Sequence, residues 1–203
     1  MAAKKIVIIE ASPRKNGNST ILAQEVASGA RSAGALVDIV SLADSRIGPC
    51  IACDACQESL KTDCIIQDDM ASLYPRLREA DVIVYATPVY WFTVSGQMKL
   101  FMDRCYALMY ASTVPGNDGE PVYTVESDLG SKKLAVVLTY GDVDPFASGA
   151  VNAIRTYQDM ARFVGSEIAG IVYGSAFAEG EVSGNDTLMK HAYNLGAALA
   201  SPG

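Results

Sequence analysis

Five segments of largely apolar character recur at roughly even intervals along the chain: Lys5–Glu10, Leu36–Ser41, Val82–Thr87, Lys133–Thr139 and Glu167–Tyr173. Several are continuous apolar runs with no polar alternation, the pattern of strands buried on both faces of a parallel sheet. Between them the period changes. Met98, Phe101, Met102, Cys105, Leu108 and Met109 fall three or four apart, as do Leu188, Ala192, Leu195 and Leu199. Each set makes one apolar helical stripe. Asp69 is placed to cap a helix that runs into Pro75, and Ser95 to cap one that follows Trp91.

The alternation of strand and helix predicts an α/β fold. Five parallel strands would form a doubly wound sheet with right-handed crossovers, helices on both faces and the flavodoxin-like order 2-1-3-4-5. A chain of 203 residues, half of them hydrophobic, suits one domain over residues 1–203. Two connections are too long for simple turns. One is a cysteine-rich loop at 47–68 and the other a Pro- and Gly-containing loop at 111–132. The net charge of -7, with no basic face, argues against nucleic acid. No apolar run reaches the roughly 20 residues of a membrane span, and Ile6–Ile9 is too short for a signal peptide. The expectation is a cytoplasmic protein with no membrane partner. A single histidine, His191, leaves little material for histidine chemistry, so a bound cofactor is expected to carry the reaction.

Three polar loops fall at the carboxyl ends of strands, where doubly wound sheets bind ligands. The first strand runs into a loop holding Ser12, Arg14, Asn16, Asn18, Ser19 and Thr20 just before a helix. Donors, a guanidinium and a helix N-terminus together suit a phosphate, although an ordinary polar turn with a helix cap reads similarly. The loop is neither GxGxxG nor a Walker A sequence. The third strand ends in Pro88, Val89, Tyr90, Trp91 and Phe92, where a flat ring system could pack. The fourth ends in Tyr140, Gly141 and Asp142 at the same edge.

Ser-Pro-Arg-Lys-Asn-Gly-Asn-Ser at 12–19, Pro-Val-Tyr-Trp-Phe-Thr-Val-Ser-Gly-Gln-Met-Lys at 88–99, and Asp103-Arg104 beyond it resemble the NAD(P)H-dependent FMN reductase superfamily. The similarity runs in order from residue 4 to about 175. The resemblance implies non-covalent FMN and a homodimer or homotetramer. Its first loop would hold the FMN phosphate through Ser12, Arg14, Asn16, Asn18, Ser19 and Thr20. Pro88 to Phe92 and Tyr140 to Asp142 would line the ring.

Cys50, Cys53, Cys56 and Cys64 read C-x2-C-x2-C-x7-C. Four thiolates so spaced suit a [4Fe–4S] cluster or a four-cysteine zinc site, with free thiols or a disulfide as the remaining reading. The motif, and Gln67-Asp68-Asp69-Met70 after it, is similar to the iron-sulfur flavoprotein branch of that superfamily, with a last gap at the long end of the motif. Cys105 belongs to the helical stripe and reads as core. Asp68-Asp69 reads as capping rather than a carboxylate pair, and His191 as a surface or packing residue.

The expected activity is therefore a flavin-dependent oxidoreductase. In the first reading electrons pass between a donor (ferredoxin or NAD(P)H), the cluster, FMN and a small-molecule acceptor. The alternatives are a clusterless NAD(P)H-dependent FMN or quinone reductase, and a pure electron carrier. No side chain stands out as a general acid or base.

Overall fold

The computed structural model describes residues 2–201. Its strands are β1 (Lys5–Glu10), β2 (Leu36–Ser41), β3 (Val82–Tyr90), β4 (Thr93–Val94), β5 (Met109–Pro115), β6 (Pro121–Ser127), β7 (Lys133–Tyr140) and β8 (Glu167–Ser175). Its helices are α1 (Asn18–Ser32), α2 (Met70–Glu79), α3 (Gly96–Arg104), α4 (Ala150–Val164) and α5 (Asp186–Ala200). The central sheet has the order β2-β1-β3-β7-β8, and every pairing along that path is parallel. The five predicted strands are all present, in a flavodoxin-like, doubly wound arrangement. The structure adds the short antiparallel β4, which extends β3.

Strand burial follows position in the sheet. β1, β3 and β7 are nearly all buried, while the edge strands β2 and β8 include alternating exposed positions. Two apolar layers result. Val7, Ile9, Ile83, Tyr85, Val136 and Leu138 face α2, α3 and α4. Ile6, Ile8, Val82, Val84, Ala135 and Val137 face α1 and α5. The stripe from Met98 lies in the first layer and that from Leu188 in the second, as their periods require. α1 and α5 cross so closely that a Cβ at Gly29 would strike the Tyr193 carbonyl, and one at Gly196 the Val26 carbonyl.

The predicted loop at 111–132 is mostly a hairpin. β5 and β6 pair in register from Met109↔Ser127 to Pro115↔Pro121, as a two-stranded ribbon apart from the central sheet. Its prolines sit at the strand ends, where a missing N–H breaks no ladder, and this masked the strand signal. The segment before α2 also differs from expectation. Asp69 occupies the cap position without a side-chain cap bond and instead accepts from the Arg46 N–H at 2.6 Å. Its neighbour Asp68 accepts from the Met70 N–H at 3.1 Å. Ser95 caps α3 as predicted, accepting from the Met98 N–H at 3.3 Å. No helix among the described residues is long and apolar enough to cross a membrane.

Candidate functional site

The carboxyl ends of β1, β3, β7 and β8 surround a crevice of about 200 Å³. Of the residues singled out in the sequence, Ser12, Arg14, Asn18, Ser19, Pro88, Val89, Tyr90, Tyr140 and Gly141 line it. Gly17, Thr139, Ala176 and Phe177 also line it and were missed. Ala176 and Phe177 directly follow β8, so the rule that located the other loops, applied to the fifth strand, would have found them.

The first loop is ordered largely by its own atoms. Ser12 Oγ accepts from the Arg14 N–H and donates to the Arg14 carbonyl, both at 3.2 Å. The Asn18 side chain is turned to a structural use. Its Nδ2 donates to the Ala178 carbonyl at 2.8 Å, and its Oδ1 accepts from the Val182 N–H at 3.2 Å, tying this loop to the segment after β8. Ser19, in the first turn of α1, is 1% exposed, and its hydroxyl has no protein partner. Such an orphan at a helix N-terminus is matched to an anionic ligand. Asn16 is exposed and Thr20 is buried in the first turn of α1; neither lines the crevice. Just below the loop lies Glu10, 8% exposed, with an unpartnered Oε1. Burial pushes its carboxyl up to about 7.

Trp91 and Phe92 also depart from expectation. They form the two-residue turn between β3 and β4, with positive φ at both positions (46° and 68°). That is the primed-turn pattern normally filled by Asn-Gly. Bulky residues there carry strain of about 1–3 kcal/mol each. Trp91 is 91% exposed, Phe92 is 52% exposed, and neither lines the crevice. The backbone of Phe92 is held by α4. Asn152 Nδ2 donates to its carbonyl at 3.2 Å, and the left-handed Gly149 packs where a Cβ would collide with it. Asp142 is likewise turned to local structure, its Oδ1 accepting from the N–H groups of Val143 and Asp144.

The cysteine loop is anchored from inside the protein. Arg104, with a side chain that is 0% exposed, reaches from the end of α3 to Asp68. It donates to both Asp68 oxygens, at 2.5 and 3.1 Å, and to the carbonyls of Gly48 and Ile66. Asp68 also accepts from the Gly48 N–H at 2.9 Å. Both ends of the loop are thus closed on one guanidinium, whose planar fork suits the pairing. Burial alone would raise the Asp68 carboxyl, but Arg104 and the Gly48 and Met70 N–H groups outweigh it and hold it below its usual range. The capping role predicted for the acidic pair is real at Asp68, but the ion pair was not foreseen. In mid-loop, the Gln57 amide donates to the carbonyls of Tyr106 and Met109 and accepts from the Ala111 N–H.

Between these anchors the thiols are open. Cys50 and Cys53 are exposed, and Cys56 and Cys64 are half-buried against the first apolar layer. Cys56, its thiol raised chiefly by burial, lies near enough to Cys64 and Cys50 to feel their charge. Ala52 and Asp54, on either side of Cys53, have positive φ (51° and 54°). Among the described residues no three His, Cys, Asp or Glu side chains gather into a group that could hold a metal ion. Cys105 is core, as its period indicated, and burial pushes its thiol up to about 12. His191 is exposed.

Residues 4–143 match the NADPH-dependent FMN reductase family. The chain belongs to that family. It is 32% identical to an iron-sulfur flavoprotein of Methanocaldococcus jannaschii over 70% of this chain and 79% of that one. It is 34% identical to an iron-sulfur flavoprotein of Archaeoglobus fulgidus over 73% and 78%. An NAD(P)H:quinone oxidoreductase from Methanothermobacter marburgensis shares the fold across the full length of both chains, with a TM-score of 0.70 at 16% identity. Family membership makes this FMN reductase relative a flavin-dependent oxidoreductase.

The crevice fits FMN. The Arg14 guanidinium, the α1 N-terminus and the unpartnered Ser19 hydroxyl would suit its phosphate, and Tyr90 and Tyr140 would suit its ring. The cysteine loop fits an iron–sulfur cluster by donor chemistry, since thiolates are the ligands such clusters take. The thiols are spread along the loop, with Cys50 and Cys53 exposed and Cys56 and Cys64 half-buried.

Proposed function

We propose that this FMN reductase relative is an iron-sulfur flavoprotein. Cys50, Cys53, Cys56 and Cys64 would hold a [4Fe–4S] cluster. Ser12, Arg14 and Ser19 would hold the FMN phosphate, with Pro88, Val89, Tyr90, Tyr140 and Gly141 beside the ring. FMN can exchange electrons singly or in pairs, and so can join a one-electron centre to a two-electron substrate. The chain's part is to hold both groups and to keep water from the ring. Nothing in the crevice is placed as a general acid or base, so no side chain is assigned a proton-transfer role.

The observation that carries this reading is the span of α3. The helix starts at the Ser95 cap, whose hydroxyl donates to the Ala11 carbonyl in the phosphate loop at 2.9 Å. It ends at Arg104, which closes the cysteine loop. One nine-residue helix, about 13 Å long at 1.5 Å per residue, therefore ties the two sites to each other. The donor is proposed to be reduced ferredoxin or NAD(P)H and the acceptor a small molecule. The β5–β6 ribbon leaves Val114, Val122 and Tyr123 exposed on strands with unpaired edges, which suits contact with a second copy in a homo-oligomer.

Anaerobic purification followed by visible spectroscopy tests the reading. Flavin bands should lie over a broad iron–sulfur absorbance that dithionite bleaches and Cys56→Ala removes. The second reading, a clusterless NAD(P)H-dependent reductase, is favoured by the open placement of Cys53. It predicts flavin bands alone and NADPH oxidation that Cys→Ala changes leave untouched.

A further inference from the structure

The middle of the cysteine loop is held by one side chain. Gln57 follows Cys56 in the short turn Ala55–Gln57, and its amide reaches across to the start of β5. Nε2 donates to the carbonyls of Tyr106 and Met109, at 3.1 and 3.0 Å, and Oε1 accepts from the Ala111 N–H at 3.2 Å. Two carbonyls face one end of the amide and an N–H faces the other, so only one orientation satisfies both ends.

That orientation turns the positive end of the amide towards a thiol. Nε2 lies 3.6 Å from Cys56 Sγ, within reach of an N–H···S hydrogen bond. Both N–H groups already serve carbonyls, so the sulfur shares a donor, and the effect on it is electrostatic as much as directional. Among the described residues no other cysteine of the loop receives a side-chain N–H. Cys56 is also half-buried against the first apolar layer, while Cys50 and Cys53 are exposed. A fixed dipole acts more strongly in that surrounding than beside an exposed thiol, where water screens it.

We propose that Gln57 is a positioning residue for the cluster, which holds the Cys56 sulfur from β5 and, through its N–H, favours the reduced state. This inference rests on the reading of the cysteine loop as a [4Fe–4S] site. One electron enters the cluster from the reduced donor, and no bond is made or broken at Gln57. Part of the added negative charge falls on the ligating sulfurs. A hydrogen-bond donor at a sulfur stabilises that charge and raises the reduction potential. Docking the loop would need only the Tyr106 and Met109 carbonyls and the Ala111 N–H. The contact with sulfur is what adds the second role.

The test is a redox titration of anaerobically purified holoprotein with dithionite, the reduced cluster being followed by electron paramagnetic resonance. Wild type is compared with Gln57→Leu and Gln57→Glu, and iron, sulfide and FMN are counted in each. Gln57→Leu removes the N–H groups. It should make the cluster about tenfold harder to reduce, a fall in midpoint potential of about 59 mV for one electron. Gln57→Glu sets a negative charge beside the sulfur and should lower the potential at least as far. Flavin content should be unchanged in both. A purely structural anchor predicts fewer clusters per chain but the same midpoint in those that form.

An unchanged or raised midpoint in Gln57→Leu would overturn the proposal. So would loss of the cluster from both variants even after reconstitution with iron and sulfide, which would make Gln57 a structural residue of the loop alone. Wild-type protein that holds flavin but no iron would refute the underlying cluster reading instead.

Discussion

The β1–α1 loop, proposed to hold the FMN phosphate, and the cysteine loop, proposed to hold a cluster, are built in opposite ways. The first is short and sits where strand β1 meets helix α1, so the sheet places it. Its Ser19 hydroxyl is buried without a protein partner. The second runs for some twenty residues with only short turns at Ala55–Gln57 and Leu60–Lys61, and its ends and middle are fastened to the rest of the protein. Its thiols are exposed or half-buried and do not gather. Backbone topology can preform a phosphate cradle, because the donors are N–H groups and short hydroxyls. A four-thiolate site depends on side chains from a loop, and metal binding itself commonly supplies the final order.

That contrast breaks most sharply at the Arg104–Asp68 pair. Arg104→Ala leaves a half-buried carboxylate with only its Gly48 and Met70 N–H partners and should destabilise the protein by about 3 kcal/mol, read from urea unfolding. Asp68 is held below its ordinary pKa, so its contribution is full above the unfolded carboxyl value of about 4 and fades as pH falls through the lower folded value. The wild-type protein should therefore lose stability towards low pH more steeply than an Asp68→Asn variant. If Arg104→Ala proves neutral, the cysteine loop is not anchored as described.

At the phosphate loop the largest effect belongs to Arg14. Arg14→Ala should weaken FMN by roughly ten- to a hundredfold, the worth of a charged hydrogen bond of about 1.5–3 kcal/mol. Fold stability should hardly change, because Arg14 is exposed. Flavin fluorescence recovery on dilution measures this.

Glu10 offers a pH test of the same region. A carboxyl raised to about 7 by burial favours folding while protonated. Its contribution is complete below the unfolded value of about 4.3 and is lost as pH rises through 7, an effect of roughly 3–4 kcal/mol. Chemical denaturation of apoprotein between pH 5 and 8 should show that loss, and Glu10→Gln should flatten it. A wild-type profile that rises over this range would contradict the assignment.

Ser19→Ala gives the smallest and most discriminating effect. Removing an unpartnered buried hydroxyl should leave the apoprotein unchanged or up to about 1 kcal/mol more stable. FMN binding should weaken about fivefold, measured by equilibrium titration. A destabilised apoprotein would mean that Ser19 serves the fold.

The sequence carried the starts of the parallel strands to the residue, because continuous apolar runs have few other uses in a chain of this size, but β3 continues through Pro88, Val89 and Tyr90, which read as loop, and β8 through Ser175. The crevice was legible for a related reason: loops at strand ends fall where the sheet puts them. Four features were not legible. Asn18, read as a phosphate ligand, lines the crevice and also bonds the backbone of a segment about 160 residues away, a contact no local pattern encodes. Trp91 and Phe92, read as ring-lining residues, sit at positive φ on an exposed turn outside the crevice lining, a geometry their residue types do not signal. The β5–β6 ribbon hid behind turn residues at its tip and prolines at its ends. Arg104 was visible only as part of a motif, and its partner lay 36 positions upstream.

Counting iron, acid-labile sulfide and FMN in one anaerobic preparation tests the central claim most directly. The account predicts about one FMN with about four iron and four sulfide per chain, and loss of the iron but not the FMN in Cys53→Ala. Stoichiometric FMN with neither iron nor sulfide, before and after reconstitution, would contradict it.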